Sequence, residues 1–529
     1  MERLLLVFRK QWHKSPVFVC VLCLSWLASL LPIWIGRYVP LLDYPAHLAN
    51  LYIFRHLNDP ALGFSQYYET NLAPLPYWVQ YGIEYGLSIF VGEELAQKLF
   101  LSLAIGLLPW TVALYARALG RDPWLLVLAI PLAWNMNVAN GFLAYVGGLP
   151  LLFVALWSLS KYSEQPSVSR ALVATLLGVL LYFSHILLWG TLLCAGGLTA
   201  LVCCRPFAIR RVLVALCPLV PTTLLGLWAQ LYGDADKTRV TVRGAGLRDI
   251  QGVWSSVAQN LDMLRGWTMN TLPETRDENG YQLLWLAAWL VLLIVGFRSE
   301  ARTPTEKIQT VPLGSRLLGR AEVGFACAVG LFFSLPRSLL RPFYWYAVNR
   351  RLAVVVALFA ILLIRGSLFS SALRRGILLG VMVLSIVYTV DVSAHYYRVN
   401  QRLAAFDALI AQVPRGKQVL PLMSQFGDPD CAVNCFNQWG SYLQIRQGGY
   451  MIPYFPIEFP LRRKQVPTPT PIPWDHPQSF RFREHARGWD YFLIHGPVLP
   501  SFFAGSEDSV RLVGQRGDFT LYEKRAGLP

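Results

Sequence analysis

Eleven apolar stretches between residues 17 and 390 constrain this chain more than any other feature. A helix needs roughly 20 apolar residues to cross the hydrocarbon of a bilayer. A composition of 54% hydrophobic and 15% charged residues is too apolar for a set of soluble domains. The predicted spans run 17–36, 99–115, 124–134, 142–159, 171–183, 186–202, 212–231, 283–295, 323–335, 352–364 and 377–390. Several are short, so their helices must extend into the flanking residues.

The first of these stretches is expected to stay in the membrane as an anchor. It is long, and Arg37 follows it where a cleavable signal peptide would have small residues.

Basic residues predict the orientation, because Lys and Arg collect in cytoplasmic loops. Six basic clusters lie at 3–14, 117–121, 161–170, 205–211, 298–320 and 365–375. All six fall on one side only if the stretch 77–91, which carries Gln80 and Glu84, lies at the interface as a juxtamembrane helix. This choice predicts eleven crossings, a cytoplasmic N-terminus and an extracytoplasmic C-terminus.

The predicted fold is therefore an all-α polytopic membrane domain followed by a small extracytoplasmic α/β domain. The first covers residues 1–392, including outer loops at 37–98 and 232–282, and the second covers residues 393–529. The predicted outside regions hold no Asn-x-Ser/Thr sequon, which fits a bacterial inner membrane with a periplasmic or extracellular tail.

The tail has its own secondary-structure pattern. Apolar residues at helical spacing predict a helix over 397–413. Short apolar runs predict strands at 418–423 and 491–495, and 510–523 resembles a hairpin that turns at Gly517.

Two cysteines, Cys431 and Cys435, stand together in the polar tail, whereas the other seven lie in or beside apolar segments. An extracytoplasmic tail makes a disulfide between them plausible. The alternative is a pair of free thiols on one helical face.

The net charge of +16 first suggests a nucleic-acid partner. Nothing in the chain resembles a basic domain with a recognition helix, and a membrane protein collects the same excess in its loops. We therefore exclude nucleic acid and expect the bilayer as the first partner.

The segment that follows the first span carries the most informative polar residues. Pro45 fits the first turn of a helix, Asp43 fits its N-cap, and His47 lies one turn further on. A carboxylate beside an imidazole could accept a proton from a hydroxyl nucleophile. Alternatively, Asp43 only caps the helix and His47 only packs beside it.

With two further segments, this region resembles the GT-C superfamily of polyprenyl-phosphate-sugar glycosyltransferases, such as protein O-mannosyltransferases and aminoarabinose transferases. The matching pieces are Asp43 with its helix, the aromatic-proline segment 75–78, and the segment 90–99. The family often has paired acids in this loop, whereas Asp43 stands alone, and Lys98 is the candidate for the family's basic residue near the aromatic-proline segment.

The resemblance implies that Asp43 is the general base for inverting transfer of a sugar to a lipid, glycan or protein acceptor. The leaving lipid phosphate needs stabilisation by cations, with a divalent metal ion, Mg or Mn, as an open option. Outward-facing arginines in the loop 336–351 are candidates for binding this phosphate: Arg337, Arg341, Arg350 and Arg351. Their alternative partners are lipid headgroups or acids of the tail.

Two short outer turns add candidate substrate-binding residues. Asn137 and Asn140 lie in an amide-rich turn and could bind a sugar or cap helix ends. His185 lies between two spans and is either structural or a proton donor or metal ligand beside the phosphate site.

Two other functions remain open from the sequence. The lone acid fits a non-catalytic scaffold of GT-C type in polysaccharide or cell-envelope assembly. A transporter is the weaker alternative, because transporters place ionisable groups near the middle of spans.

Overall fold

The computed structural model describes residues 15–203, 209–232, 251–273, 275–301, 319–341, 345–450, 460–468 and 476–525. The basic residues of the N-terminus and most of the loops 232–250 and 302–318 lie outside the described residues.

Helices make up most of the first 410 residues. In chain order these are α1 Pro16–Ala28, α2 Leu31–Trp34, α3 Tyr44–Arg55, α4 Trp78–Val91, α5 Glu93–Ala118, α6 Leu126–Leu132, α7 Met136–Ala139, α8 Leu143–Glu164, α9 Val168–Ser184, α10 Ile186–Cys203, α11 Ile209–Leu216, α12 Leu219–Tyr232, α13 Val257–Thr268, α14 Thr275–Ala301, α15 Arg320–Ser334, α16 Ala353–Ile361 and α17 Ala372–Ile410. Every predicted span coincides with one or two of these helices.

Four described helical segments are long and apolar enough to cross a membrane: Glu93–Ala118, Leu143–Glu164, Glu278–Arg298 and Ala372–Ile410. The bent pair of α11 and α12, with a 57° angle between its halves, would make a fifth. Shorter apolar helices occupy Pro16–Ala28, Pro123–Leu132, Val168–Ser184 and Ile186–Val202. Several helices could therefore span a membrane, while the total of eleven stays a prediction.

Two short helices form the centre of the helical part. Every residue of α6 and of α16 is buried, because both are apolar on all sides. The chain leaves α6 into the amide-rich turn and enters α16 directly from Arg350 and Arg351. The packed centre thus holds two of the predicted site segments in place.

One end of this helical part carries a cluster of ion pairs. Glu322 accepts hydrogen bonds from Arg121 at 2.8 Å and from Arg365 at 2.7 Å. These arginines come from two loops that the charge pattern assigned to the same side. Their contact agrees with that assignment, although it leaves the inside and the outside undetermined.

The strands of the described residues lie mainly in the tail. In chain order they are β1 Tyr68–Thr70, β2 Gln251–Val253, β3 Ser338–Arg341, β4 Val419–Met423, β5 Leu461–Arg463, β6 Tyr491–His495, β7 Val510–Arg516 and β8 Phe519–Lys524. Four tail strands form a mixed sheet in the order β4-β6-β8-β7. The β4–β6 pair is parallel, while β6–β8 and β7–β8 are antiparallel. The predicted strands and the hairpin at Gly517 are thereby confirmed. Short tail helices are α18 Ser441–Gln447, α19 Phe482–His485 and α20 Pro500–Phe503.

The loop 37–98 and the tail pack against each other. Strand β1, Tyr68–Thr70, pairs antiparallel with β5, Leu461–Arg463, and a shared apolar cluster joins α3 to the tail. A second ribbon pairs β2, Gln251–Val253, with β3, Ser338–Arg341.

Helix α17 connects the helical part to the tail without a break. It runs through the predicted domain boundary at 392/393, which stays a prediction. The predicted helix 397–413 is confirmed as its last turns, which end at Ile410. Arg402 binds Asp428 and Asp430 of the tail, with Nε 2.9 Å from Asp428. Cys431 and Cys435 form a disulfide with Cα atoms 6.3 Å apart.

Candidate functional site

Asp43 immediately precedes α3, whose first turn contains Pro45 as predicted. Two backbone bonds tie this entry to the amide-rich turn: Leu42 N–H donates to the carbonyl of Ala139 at 3.0 Å, and Asp43 N–H to that of Asn140 at 3.1 Å. These two hydrogen bonds hold the backbone of the candidate base in place, and we call them the backbone clamp.

Gly141 allows the two segments that the backbone clamp joins to approach each other closely. It has φ +70°, and a Cβ built there would lie 2.8 Å from the backbone nitrogens of Asp43 and Tyr44. A side chain would push the two segments apart, so only glycine fits both the conformation and the approach.

The carboxylate of Asp43 does not cap its helix. Among the described residues, its side chain makes no cap hydrogen bond, and it instead accepts a hydrogen bond from Nε2 of Gln438 in the tail. Burial raises the pKa of Asp43 to about 7, and the positive charge of Arg351 acts in the opposite direction. The side chain is thus a carboxylate near the pKa that suits a general base at neutral pH.

Arg351 lies at the bottom of the same site with only 5% of its surface exposed. Its guanidinium carbon stacks 3.8 Å from the centre of the Phe142 ring, and Nη2 donates to the carbonyl of Tyr346 at 3.2 Å. The Arg351 carbonyl accepts hydrogen bonds from Tyr145 Oη at 2.7 Å and Asn137 Nδ2 at 3.3 Å. The arginine is therefore held from both its backbone and its ring-stacked side chain.

His185 contacts this guanidinium, with Nε2 3.1 Å from Nη1 of Arg351. Its other nitrogen, Nδ1, lies 3.2 Å from the N–H of Leu187. Burial, followed by the charge of Arg351, lowers the pKa of His185, so the ring is neutral. A neutral imidazole has one lone pair and cannot accept from both donors. One N–H group beside His185 is left for another acceptor.

Further polar atoms of the site also lack partners. Nε of Arg351 and Oδ1 of Asn137 are buried, and neither has a hydrogen-bond partner among the described residues. Buried polar atoms are normally paired, by protein, water or ligand. The arginine thus retains donor capacity directed at an anion or another acceptor.

Tyrosines line the side of the site next to α4. His47 Nδ1 lies 2.9 Å from Oη of Tyr81, and burial lowers the pKa of His47 to about 3. Tyr77, a non-glycine residue at φ +83°, hydrogen-bonds to Arg351 through its side chain. Such backbone strain concentrates at functional sites because the surrounding structure must hold it.

The remaining arginines of the predicted set lie beside this centre or outside it. Arg350 is half-buried, 6.0 Å from the Trp267 ring, and the charge of Arg337 acts on it. Arg341 is exposed at the end of β3, and the next three residues lie outside the described part of the chain.

Lys98 and Asn140 have local roles. Lys98 Nζ donates to the carbonyl of Gly36 at 2.6 Å and lies over Trp34, next to the first span. Asn140 donates its side-chain amide to Met136 at 2.7 Å, while Asn135 caps α7 by accepting from the N–H of Asn137. Capping is therefore the observed use of the asparagines 135 and 140.

Sequence reasoning did not identify Gln438, Gly141 or Tyr145. Tyr77 was noted only as part of the aromatic-proline segment. Gln438 comes from a tail segment almost 400 residues away, and no local pattern marks it. Gly141 follows the asparagines of an outer turn, which was the available signal.

Within the described ranges, no group of three His, Cys, Asp or Glu side chains could hold a metal ion, and the Mg or Mn option stays a prediction. No protein-family model and no curated protein matches this chain.

Proposed function

We propose that this chain is a GT-C-like membrane glycosyltransferase that moves a sugar from a polyprenyl-phosphate donor to a hydroxyl acceptor. One observation carries the proposal. The same site holds a base-like carboxylate, Asp43, and a buried arginine with an unpartnered donor, Arg351. Acid–base chemistry and anion binding are the two requirements of such a transfer.

In the proposed reaction, Asp43 accepts the proton of the acceptor hydroxyl. The hydroxyl oxygen then forms a bond to the anomeric carbon while the bond from that carbon to the phosphate oxygen breaks. The polyprenyl phosphate leaves with the electron pair, and the guanidinium of Arg351 stabilises its charge through charge-assisted hydrogen bonds. Attack opposite the leaving group inverts the anomeric carbon.

Support also comes from which outer segments meet. The entry to α3, the turn before α8, the turn at His185 and the segment at Arg351 are in contact, and the tail joins them through Gln438. The positive-inside assignment placed all of them on one side. We place this face in the periplasm or outside the cell, with the N-terminus in the cytoplasm of a bacterium and eleven crossings between.

The test uses the purified full chain in lipid nanodiscs with a panel of synthetic polyprenyl-phosphate hexoses and pentoses. Release of polyprenyl phosphate is the readout. Asp43→Asn should lower the rate by at least about 1,000-fold, because the amide cannot accept the proton. The matched control is Asp59→Asn in the same loop, whose carboxylate accepts only a local backbone bond in the described structure, from Ala61. Full activity of Asp43→Asn, with Asp59→Asn behaving alike, would contradict the proposal.

A second candidate is a non-catalytic scaffold on the same fold. The observation in its favour is that Asp43 already accepts a hydrogen bond from the tail and has no second acid beside it in the first-loop sequence. Binding of polyprenyl phosphate without turnover of any donor would favour the scaffold. Substrate flux into proteoliposomes would favour a transporter.

A further inference from the structure

Gln438 is the point at which the tail reaches the candidate base. It lies between the disulfide and α18, has 6% of its surface exposed, and donates a hydrogen bond from Nε2 to Oδ1 of Asp43. No other described hydrogen bond joins the Asp43 carboxylate to the tail.

The contact fixes the orientation of the glutamine amide when Asp43 is ionised, the form in which it acts as a base. An ionised carboxylate has only acceptors, so the amide then presents its NH2 group to Asp43. Its carbonyl oxygen, Oε1, shares a carbon with that nitrogen and therefore stays within a few ångströms of the base. Oε1 is buried and has no hydrogen-bond partner among the described residues.

An unpartnered buried carbonyl destabilises the fold, and a hydrogen-bond donor removes that cost. The adjacent Asn437 likewise has a buried Oδ1 that lacks a partner in the described part of the chain. The group that the proposed reaction brings to Asp43 is a hydroxyl, which can donate to Oε1 of Gln438 and then give its proton to Asp43. The chemistry of the acceptor thus matches the missing donor.

The segment around Gln438 is held firmly on both sides. The disulfide precedes it, the Phe436 N–H donates to the carbonyl of Phe426 at 3.2 Å, and the Trp439 ring lies 5.2 Å from that of Tyr38 in the first loop. A side chain between two such anchors has little freedom, as a positioning residue requires.

We infer that Gln438 positions the acceptor hydroxyl, with Oε1 accepting from it and Nε2 holding the Asp43 carboxylate. The inference rests on the proposed function and divides the site in two. Arg351 and His185 of the helical part bind the donor phosphate, and the tail binds the acceptor.

The experiment compares Gln438→Met with Gln447→Met in the full chain. Gln447 is an equally buried tail glutamine, 6% exposed, whose Nε2 donates to the carbonyl of Ile410 and does not touch the site. The donor probe is a synthetic polyprenyl-phosphate hexose, and glycerol and water are the acceptor probes. Gln438→Asn, which keeps the amide one methylene shorter, is the second variant in case the methionine variant folds poorly.

Gln438→Met should lower kcat/KM for glycerol by at least about 10-fold, because one positioned hydrogen bond to a reacting group is lost. The KM for the donor should change by less than about twofold, because the variant leaves the Arg351 side of the site intact. The acid limb of the pH–rate profile should move to higher pH, since a hydrogen bond to the ionised carboxylate favours that form. Gln438→Asn should lie between wild type and Gln438→Met, and Gln447→Met should resemble wild type in all three.

Three results would overturn the inference while leaving the proposed function intact: an unchanged kcat/KM for glycerol, a raised donor KM as the main effect, or faster turnover in Gln438→Met. Release of no polyprenyl phosphate by the wild-type chain would instead overturn both.

Discussion

The two ends of the helical part each hold largely buried arginine, but the arginines have different kinds of partner. At one end, Glu322 lies within 2.8 Å of Arg121 and 2.7 Å of Arg365. At the other end, Arg351 has an unpartnered Nε, and its contact with His185 competes with a second donor for one lone pair. The arginines of the first cluster bind a carboxylate, whereas no ion pair among the described residues joins Arg351 to an acid. We therefore expect the first arginine site to stabilise the fold and the second to bind an anion in the proposed reaction.

The sharpest way to break this comparison is to remove one arginine from each end. Arg351→Ala should lower kcat/KM for a polyprenyl-phosphate sugar by about 100- to 1,000-fold, as loss of a preorganised donor to a developing charge does. Its thermal midpoint should change little, because Tyr145 and Asn137 bind the backbone carbonyl of residue 351, which alanine keeps. Kinetics and thermal unfolding in the same nanodiscs measure both effects.

Arg365→Ala is the matched variant at the other end. It should destabilise the fold by about 1–3 kcal/mol, because Glu322 loses a charge-assisted bond. Donor kinetics at temperatures where the protein stays folded should remain near wild type. If both variants lose activity and stability in the same proportion, the distinction between the two ends is wrong.

The second prediction concerns the titration of Asp43. Its raised pKa of about 7 keeps the carboxyl protonated below neutral pH, so kcat/KM should rise about 10-fold per pH unit on the acid side and level off above pH 7. His47, with a pKa lowered to about 3, stays neutral throughout this range. His47→Gln should therefore leave the position of the acid limb unchanged. If His47→Gln moves the limb, the assignment of this titration to Asp43 is wrong.

The same shift predicts how stability depends on pH. The folded protein binds the proton of Asp43 more tightly than the unfolded chain does, where the carboxyl has its ordinary pKa of 3.8. The stabilisation is thus complete below about pH 4 and is lost as the pH rises through about 7. Thermal midpoints at pH 5 and pH 8 should differ more for wild type than for Asp43→Asn, and equal differences would contradict the raised pKa.

The sequence predicted the helical part and the tail strands well because their signals are local. Apolar length marks a helix in a membrane protein, and short apolar runs beside turn residues mark strands. The expected extension of short spans into their flanking residues was wrong at α6 and α16, which are short helices with every residue buried and therefore need no bilayer length. The crossing number cannot be read from helix length in such a fold.

The candidate site was predictable in part. Asp43, His47, His185 and Arg351 were chosen for chemistry and for an outer position, and the structure brings them together. Their partners depend on contacts between distant segments, as the bond from Gln438 to Asp43 shows. Lys98 was chosen from a family resemblance and bonds to Gly36 beside the first span instead.

A third prediction tests the backbone clamp on Asp43. Gly141→Ala should destabilise the fold by about 1–3 kcal/mol and lower activity by about 10-fold, because the new Cβ meets the Asp43 and Tyr44 nitrogens at 2.8 Å. Gly380→Ala is the control, since a Cβ there meets nothing within 4 Å. Because Gly380 lies in the interior of α17, alanine there should stabilise the fold by up to about 1 kcal/mol. Thermal unfolding and donor turnover of both variants test this prediction. If Gly141→Ala changes neither, the backbone clamp does not position Asp43.

The smallest expected effect comes from reducing the disulfide, which should loosen the end that contains Asp43 and leave the end that contains Glu322 unchanged. The disulfide closes a loop between residues 431 and 435, so its loss should cost about 2 kcal/mol in the chain-entropy account. Amide hydrogen exchange should quicken in the segment 436–447 after reduction, because that segment carries Gln438 to Asp43. The amides near Arg121 and Glu322 should keep their rates, since the described ion pairs there involve no cysteine.

Cys431→Ser combined with Cys435→Ser supplies the control for this last measurement. The double variant should exchange like the reduced wild type and should not respond to reductant. Equal acceleration at both ends would mean that the tail stabilises the whole helical part, and the functional end would then lose its separate character.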